Sequence, residues 1–278
     1  MVTIAWIYGK VTQINNKNNI NYRVFKGIRK TINRFREKPL YYFTEADIHS
    51  SLVRDILQGS SNELIYKKNN SKKNILLLHQ EFPTSFRYIP AKIKEGFYKT
   101  NIIEKTDLSN SKNGARGHYD LVVINPSFVK KMLANQNSDE KAIKHIMNKS
   151  IANTKANNNE LLFAIEVKFL HLFNIKNKSM EKEIEKDNEK LRISSVISNR
   201  KIKCINLVFC SAKDTSNNVL KNIIIQNKNS HVLNIFIKSY YDDNNKKQTV
   251  KPITNFNSNT KWGIDLVKGM DLTNNNIN

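Results

Sequence analysis

Cysteine is nearly absent from this chain, and the two that occur, Cys204 and Cys210, lie in one apolar run. Their even spacing puts both on the same side of a strand, too far apart to bond each other. A disulfide-built fold is therefore excluded, and reduced core thiols suit a cytoplasmic protein. No Cys/His set has the spacing of a zinc site, and no cysteine cluster for an iron–sulfur centre is present. No Gly-x-x-x-x-Gly-Lys occurs, so P-loop nucleotide hydrolysis is excluded. Long apolar runs are missing as well, so no segment reaches the length needed to span a bilayer. Met1 to Gly9 is apolar but too short and wrongly flanked for a secretory leader. Neither an internal repeat nor a clear linker divides the chain.

Acidic residues are in deficit. Lys and Arg number 46 against 24 Asp and Glu, giving a net charge of +22. Such a balance suits a polyanionic partner, because neutralising phosphates releases condensed counterions. A basic surface would also follow from the Lys- and Asn-rich composition alone, but the size of the charge favours nucleic acid. The hydrophobic fraction, 39% of 278 residues, suffices for one large domain or one domain with additions.

The order of patterns along the chain reads as an α/β protein with a central mixed sheet flanked by helices. Residues 1–22 read as a short strand or loose arm followed by an Asn-rich connector. Residues 23–37 read as a basic amphipathic helix, with Val24, Ile28, Ile32 and Phe35 on its apolar side. It can lie on phosphate or simply cover the sheet. Thr44 and Asp47 have the spacing of a helix cap, and Ile48, Leu52 and Ile56 supply a buried stripe behind it. Ile75 to Phe82 reads as a strand, Pro83 to Pro90 as a turn carrying Arg87, and Phe97 to Glu104 as a short strand. Further strands are expected from Gly117, from Leu161, over Ile202 to Cys210 and over His231 to Tyr240. Helices are expected over Phe128 to Met147, Ser179 to Ser198 and Val219 to Gln226. From Asp242 the chain turns polar and is expected to be extended or partly disordered.

Against that background, four residues stand out. Leu161 to Leu170 is an apolar run interrupted by Glu166 and Lys168. On a strand these two project together, while Ile165, Val167 and Phe169 project the other way. Charges inside a sheet are costly unless they meet an opposite charge or a metal. An edge strand with a solvated face is the plain alternative. Asp120 heads a second apolar run, although Asp is depleted from strands. Glu45 sits in the first turn of a helix, where the dipole favours an acid and where it can also complete a metal site.

An acid on a helix, an Asp opening one strand and Glu-x-Lys on the next resemble the PD-(D/E)XK nuclease superfamily. The resemblance rests on Glu45, Asp120, Glu166 and Lys168 in that order and spans about Tyr41 to Tyr240. Tyr119 stands where the superfamily name has Pro, and the Gln-x-x-x-Tyr signature of the RecB-like branch is absent. The resemblance implies a restriction-endonuclease-like α/β sandwich and Mg²⁺-dependent hydrolysis of phosphodiester bonds, usually of DNA, with Mn²⁺ able to substitute. It divides the chain into a basic N-terminal arm and helix (1–40), a nuclease core (41–241) and a polar tail (242–278). Members include restriction enzymes, junction resolvases and repair or defence nucleases. Asp120, Glu166, Glu45 and the carbonyl of Val167 would hold the ion. Lys168 would orient the attacking water or help deprotonate it, with a lowered pKa beside metal and phosphate.

Arg87, Arg116 and His118 are candidates for contact with the nucleic acid. Gly114, Arg116 and Gly117 suit a loop that approaches a ligand, or an ordinary turn. Glu81 is a further site acid or a strand-end surface residue. His49 and His118 are read as structural or surface residues, and Tyr41, Tyr42 and Phe43 as core rather than as a platform for stacked bases. A non-catalytic nucleic-acid-binding protein and a ribonuclease on the same scaffold are the alternatives. A homodimer is expected if both strands of a duplex are cut.

Overall fold

Helical periodicity starts further upstream than the sequence pattern suggests. In the computed structural model, which describes residues 2–58, 63–67, 74–89, 101–103, 115–134, 160–171, 177–213 and 230–270, one helix α1 runs over Val2–Glu37. It replaces the strand or arm and connector expected over residues 1–22. No proline interrupts the run, and Asn disfavours a helix without forbidding it. From Ile20 onward its buried stripe is Ile20, Val24, Phe25, Ile28, Ile32 and Phe35.

A one-turn 3₁₀ helix over Pro39–Tyr41 leads to α2, Glu45–Leu57. Its cap is the expected one: Asp47 N–H donates to Thr44 Oγ1 while Thr44 N–H donates to Asp47 Oδ2. The two helices touch where α1 has no side chain, since a Cβ on Gly27 would lie 2.6 Å from Ile56 Cα. Buried Asp55 pins the pair. It accepts a bidentate fork from Arg34 and a third bond from Thr31 Oγ1, all at 3.0 Å.

Strands β1 (Ile65–Lys67) and β2 (Asn74–Leu76) form a separate antiparallel hairpin. The others are β3 (Leu78–Ile89), β4 (Asn101–Ile103), β5 (Ala115–Ile124), β6 (Leu161–Leu170), β7 (Lys203–Cys210), β8 (Val232–Tyr241), β9 (Lys247–Thr249) and β10 (Ile253–Thr254). Among the described residues these eight form one sheet in the order β10-β8-β7-β6-β5-β3-β4, with β9 beside β8. β6, β7 and β8 are parallel and the rest pair antiparallel, so the sheet is mixed. Pro83 does not end β3 as expected. The strand continues to Ile89 across an irregularity between Pro83 and Arg87, where proline's missing N–H is tolerated.

Helices α3 (Pro126–Ala134) and α4 (Asn177–Ile197) follow β5 and precede β7. The stretch of the expected helix beyond Ala134, and the whole helix expected over Val219 to Gln226, lie outside the described residues. α1 covers one face of the sheet. Phe25 meets Phe163 edge-on at 5.7 Å, and Phe35 meets Phe209 at 5.1 Å and Phe169 at 6.1 Å. α4 covers the other face, reaching Asn206 through Asn188 and Glu166 through Lys190. The result is an α/β sandwich with a central mixed sheet.

The polar segment from Asp242 is ordered as far as Met270, contrary to its composition. After β9 and β10 come a 3₁₀ helix, Ser258–Gly263, and α5, Ile264–Lys268. Trp262 stacks on Phe25 at 6.4 Å, and Leu266 and Val267 are buried. A few apolar residues on one helical side suffice when they dock on an existing core. Among the described residues, no helix is long and apolar enough to cross a membrane. Cys204 and Cys210 are both buried.

Candidate metal centre

β5 and β6 pair only as far as Leu121 and Ile165. Beyond that point the strands part, and β6 offers backbone donors that no strand takes. Two carboxylates take them instead. Val167 N–H donates to Asp120 Oδ2 at 2.7 Å, and Phe169 N–H donates to Glu45 Oε2 at 3.1 Å. Alternate residues of a strand present their N–H and C=O to the same edge, so the carbonyl of Val167 opens into the same gap. The opposite edge is occupied: Leu170 C=O accepts from Ser211 N–H on the β7 side.

α2 supplies a further group. His49 lies one helical turn after Glu45 and therefore on the same side of the helix. Its Nε2 is 3.6 Å from Asp120 Oδ2, an ion-pair distance too long for a hydrogen bond. Glu45, His49 and Asp120 each offer a ligand atom, and these atoms all lie within 4.8 Å of one another. His49, read from the sequence as a structural or surface residue, thus stands beside two of the candidate acids.

Glu166 is not in that group of three. It is 1% exposed, and its Oε2 accepts from Lys190 Nζ at 2.7 Å. Its Oε1 is buried without a hydrogen-bond partner. Lys190 also faces Asp187 at 3.4 Å and donates to the carbonyl of His118 at 2.8 Å. Lys168 faces Glu45 at 3.4 Å, Glu183 at 3.7 Å and Asp187 at 3.8 Å. Acids and ammonium groups thus alternate from α2 across β6 to α4.

Burial dominates the proton affinities. It pushes the Glu45 carboxyl up, with Lys168 and the Phe169 N–H opposing. Glu166 is raised well above the ordinary range by burial, with Lys190 opposing and Asp120 and Asp187 adding to the rise. For Asp120 burial also pushes up, but His49 and the Val167 N–H outweigh it, and the carboxyl is held low. His49 runs the opposite way: burial lowers it, and Asp120 and Glu45 more than compensate. Lys168 and Lys190 are both raised, because neighbouring carboxylates outweigh the burial penalty.

Glu45 and Asp120 lie together, with Lys168 beside Glu45, while Glu166 is outside that group and is held by Lys190. Asp47 serves the helix cap. Glu81 is exposed, has a left-handed backbone (φ +48°), and is near enough to raise the proton affinity of His49. The side chain of His118 is exposed. Arg87 and Arg116 are paired across β3 and β5, and their side chains lie outside the described residues. The charged neighbours of the site that sequence reasoning did not name are Asp187 and Lys190. Glu183, Asp187 and Lys190 form a helical stripe beside buried Ile184 and Leu191, so a charged stripe next to an apolar one was the available signal.

Two carboxylates, an imidazole and a backbone carbonyl suit a divalent ion of the Mg²⁺ to Mn²⁺ range. His49 Nε2, buried without a hydrogen-bond partner, is consistent with such a ligand. Comparison with protein-family models, with curated proteins and with solved structures finds no match to this chain.

Proposed function

We propose that this chain is a metal-dependent endonuclease that hydrolyses phosphodiester bonds of DNA, built on the PD-(D/E)XK plan. One observation carries the reading. Where β5 parts from β6, Asp120 and Glu45 dock on alternate free N–H groups of one strand, with His49 and Lys168 beside them. Backbone donors hold two acids in place next to each other, which is costly unless a cation is to be bound.

Glu45, His49, Asp120 and the Val167 carbonyl would hold Mg²⁺ or Mn²⁺, which when bound supplies Lewis acidity and a water of lowered pKa. Lys168, set among three acids, is placed beside Glu45 and suited to orient a water and to offset negative charge on the phosphate. Lys190 fixes one oxygen of Glu166 and leaves the other free. The net charge of +22 supports a DNA partner. We also propose a cytoplasmic protein, on its scarcity of cysteine, and expect a homodimer if both strands of a duplex are cut.

Incubation of plasmid and linear DNA with the full chain, with Mg²⁺, with Mn²⁺ and with EDTA, tests the reading. Cleavage is expected only with metal and is lost in Asp120→Ala and Lys168→Ala. Cutting that survives either change overturns the site. A second reading, a nucleic-acid-binding protein without catalysis, draws on Glu166 being held by Lys190 rather than joining the other acids. Salt-sensitive binding with no cleavage under either metal would favour it. RNA run beside DNA of the same sequence separates a ribonuclease from both.

A further inference from the structure

The short approach to α2 carries exposed rings. Tyr41 is 68% and Phe43 73% exposed, and Leu40 beside them is exposed too. Single exposed apolar residues are ordinary. Here three fall within one four-residue stretch, which ends two residues before Glu45 of the metal centre.

The stretch is also anchored. Pro39 and Tyr42 are buried between the exposed side chains, and the Tyr42 ring lies 5.5 Å from that of Phe35. Phe43 N–H donates to Asp47 Oδ2 at 2.9 Å, which ties it into the cap of α2. Rings on a fixed backbone lose little freedom when a partner stacks on them. A cation accompanies them: Lys38 Nζ sits 5.0 Å from the Tyr41 ring centre.

We infer that Tyr41 and Phe43 form a stacking platform for unpaired bases of the nucleic acid whose phosphate enters the metal centre. The inference rests on the proposed nuclease reading and specifies its substrate. Two residues of chain span at most about 7 Å between Cα atoms, so a base on Phe43 belongs to a nucleotide within a few of the phosphate near Glu45. Inside a duplex both faces of a base are covered by its neighbours. Only a single-stranded, frayed or extruded base offers a face to a protein ring. The platform therefore selects single-stranded segments, or junctions where a strand leaves a duplex. The lysine beside the rings matches its backbone charge.

The experiment uses the full chain in EDTA, where the proposed hydrolysis is silent, and fluorescent oligonucleotides carrying 2-aminopurine. Single-stranded DNA, single-stranded RNA and duplex DNA of one sequence are compared, with wild type, Tyr41→Ala, Phe43→Ala and Phe43→Trp. Wild type is expected to quench 2-aminopurine and to bind single strands more tightly than duplex. Phe43→Ala is expected to weaken single-strand binding about tenfold with an unchanged salt slope, and Phe43→Trp to restore it. The DNA and RNA arms show which sugar the platform accepts. Both side chains are exposed, so melting temperatures should not change.

Equal binding of single strands by wild type and both alanine variants, or duplex bound as tightly as single strands, overturns the platform. So does concentration-dependent self-association that the alanine changes abolish, since the patch would then be a protein contact. Cleavage with Mn²⁺ is measured separately. Cutting without stacking removes the platform and leaves the nuclease reading standing, whereas stacking without cutting does the reverse.

Discussion

Asp120 Oδ2 accepts the N–H of Val167 at 2.7 Å just beyond the last paired residues of β5 and β6. A side chain thus takes the bond that a strand would have taken, and the carboxylate is held where the sheet opens. This separates two roles of Asp120 that mutation can test. Asp120→Asn keeps an acceptor and loses the charge, while Asp120→Ala loses both. The alanine variant should lose about 1 kcal/mol of stability and the asparagine variant less, by urea unfolding. Both should lose metal-dependent cleavage. Cleavage retained by Asp120→Asn would show that the charge does not serve a cation.

His49 brings a nitrogen to a set of oxygens. Imidazole favours Mn²⁺ over Mg²⁺ relative to carboxylate alone, so wild type should saturate at lower Mn²⁺ than Mg²⁺. His49→Ala should weaken Mn²⁺ binding at least about tenfold and narrow that gap. Saturating metal, at a hundred times its dissociation constant, should stabilise wild type by about 2.7 kcal/mol. Calorimetric titration and melting curves with and without EDTA read both effects.

Glu166 sets a pH dependence. Burial raises its folded pKa above the unfolded value, so protonated Glu166 suits the metal-free fold. That contribution is fully present below the ordinary carboxyl pKa, about 4.3, and is lost as pH rises through the folded value. Metal-free wild type should therefore lose stability over that rise relative to Glu166→Gln, in which this dependence is absent. Parallel stability–pH curves for the two proteins would show that Glu166 is not the group responsible.

Lys190 is expected to act by positioning. Lys190→Met leaves the buried Glu166 facing acids with no cation and should cost about 3 kcal/mol. Lys190→Arg should recover most of the stability. If Lys190 only fills space, Met should serve as well as Arg. If it aims Glu166, Arg should restore cleavage in part and Met not at all, with the loss falling on kcat rather than KM.

Phe35 is fully buried between α1 and the sheet, against Tyr42, Phe169 and Phe209. Phe35→Ala should cost about 3–5 kcal/mol, visible as a lower urea midpoint. Tyr42 leads directly to Phe43 and α2, so single-strand binding should weaken in the same variant before the protein unfolds.

The strands β6, β7 and β8 could be read from the chain because each is a nearly continuous apolar run, and α2 because its cap and stripe are local. Glu45, Asp120, Glu166 and Lys168 stood out because charges in or beside apolar runs are costly there. Residues 242–270 were misread because composition reports local preference, whereas that segment docks on distant elements. Trp262 stacked on Phe25 is such a contact.

The amino-acid order alone determined the alternation of helices and strands, the excess of positive charge and the candidate acids, since these depend on neighbours in the chain. Only the tertiary structure decided which of those acids meet. The parting of β5 from β6 turned Asp120 and Glu45 onto the Val167 and Phe169 amides, brought His49 in beside them, and left Glu166 to Lys190 from α4. Those pairings join residues far apart in sequence, and their geometry depends on how strands diverge and helices dock, which no local pattern encodes.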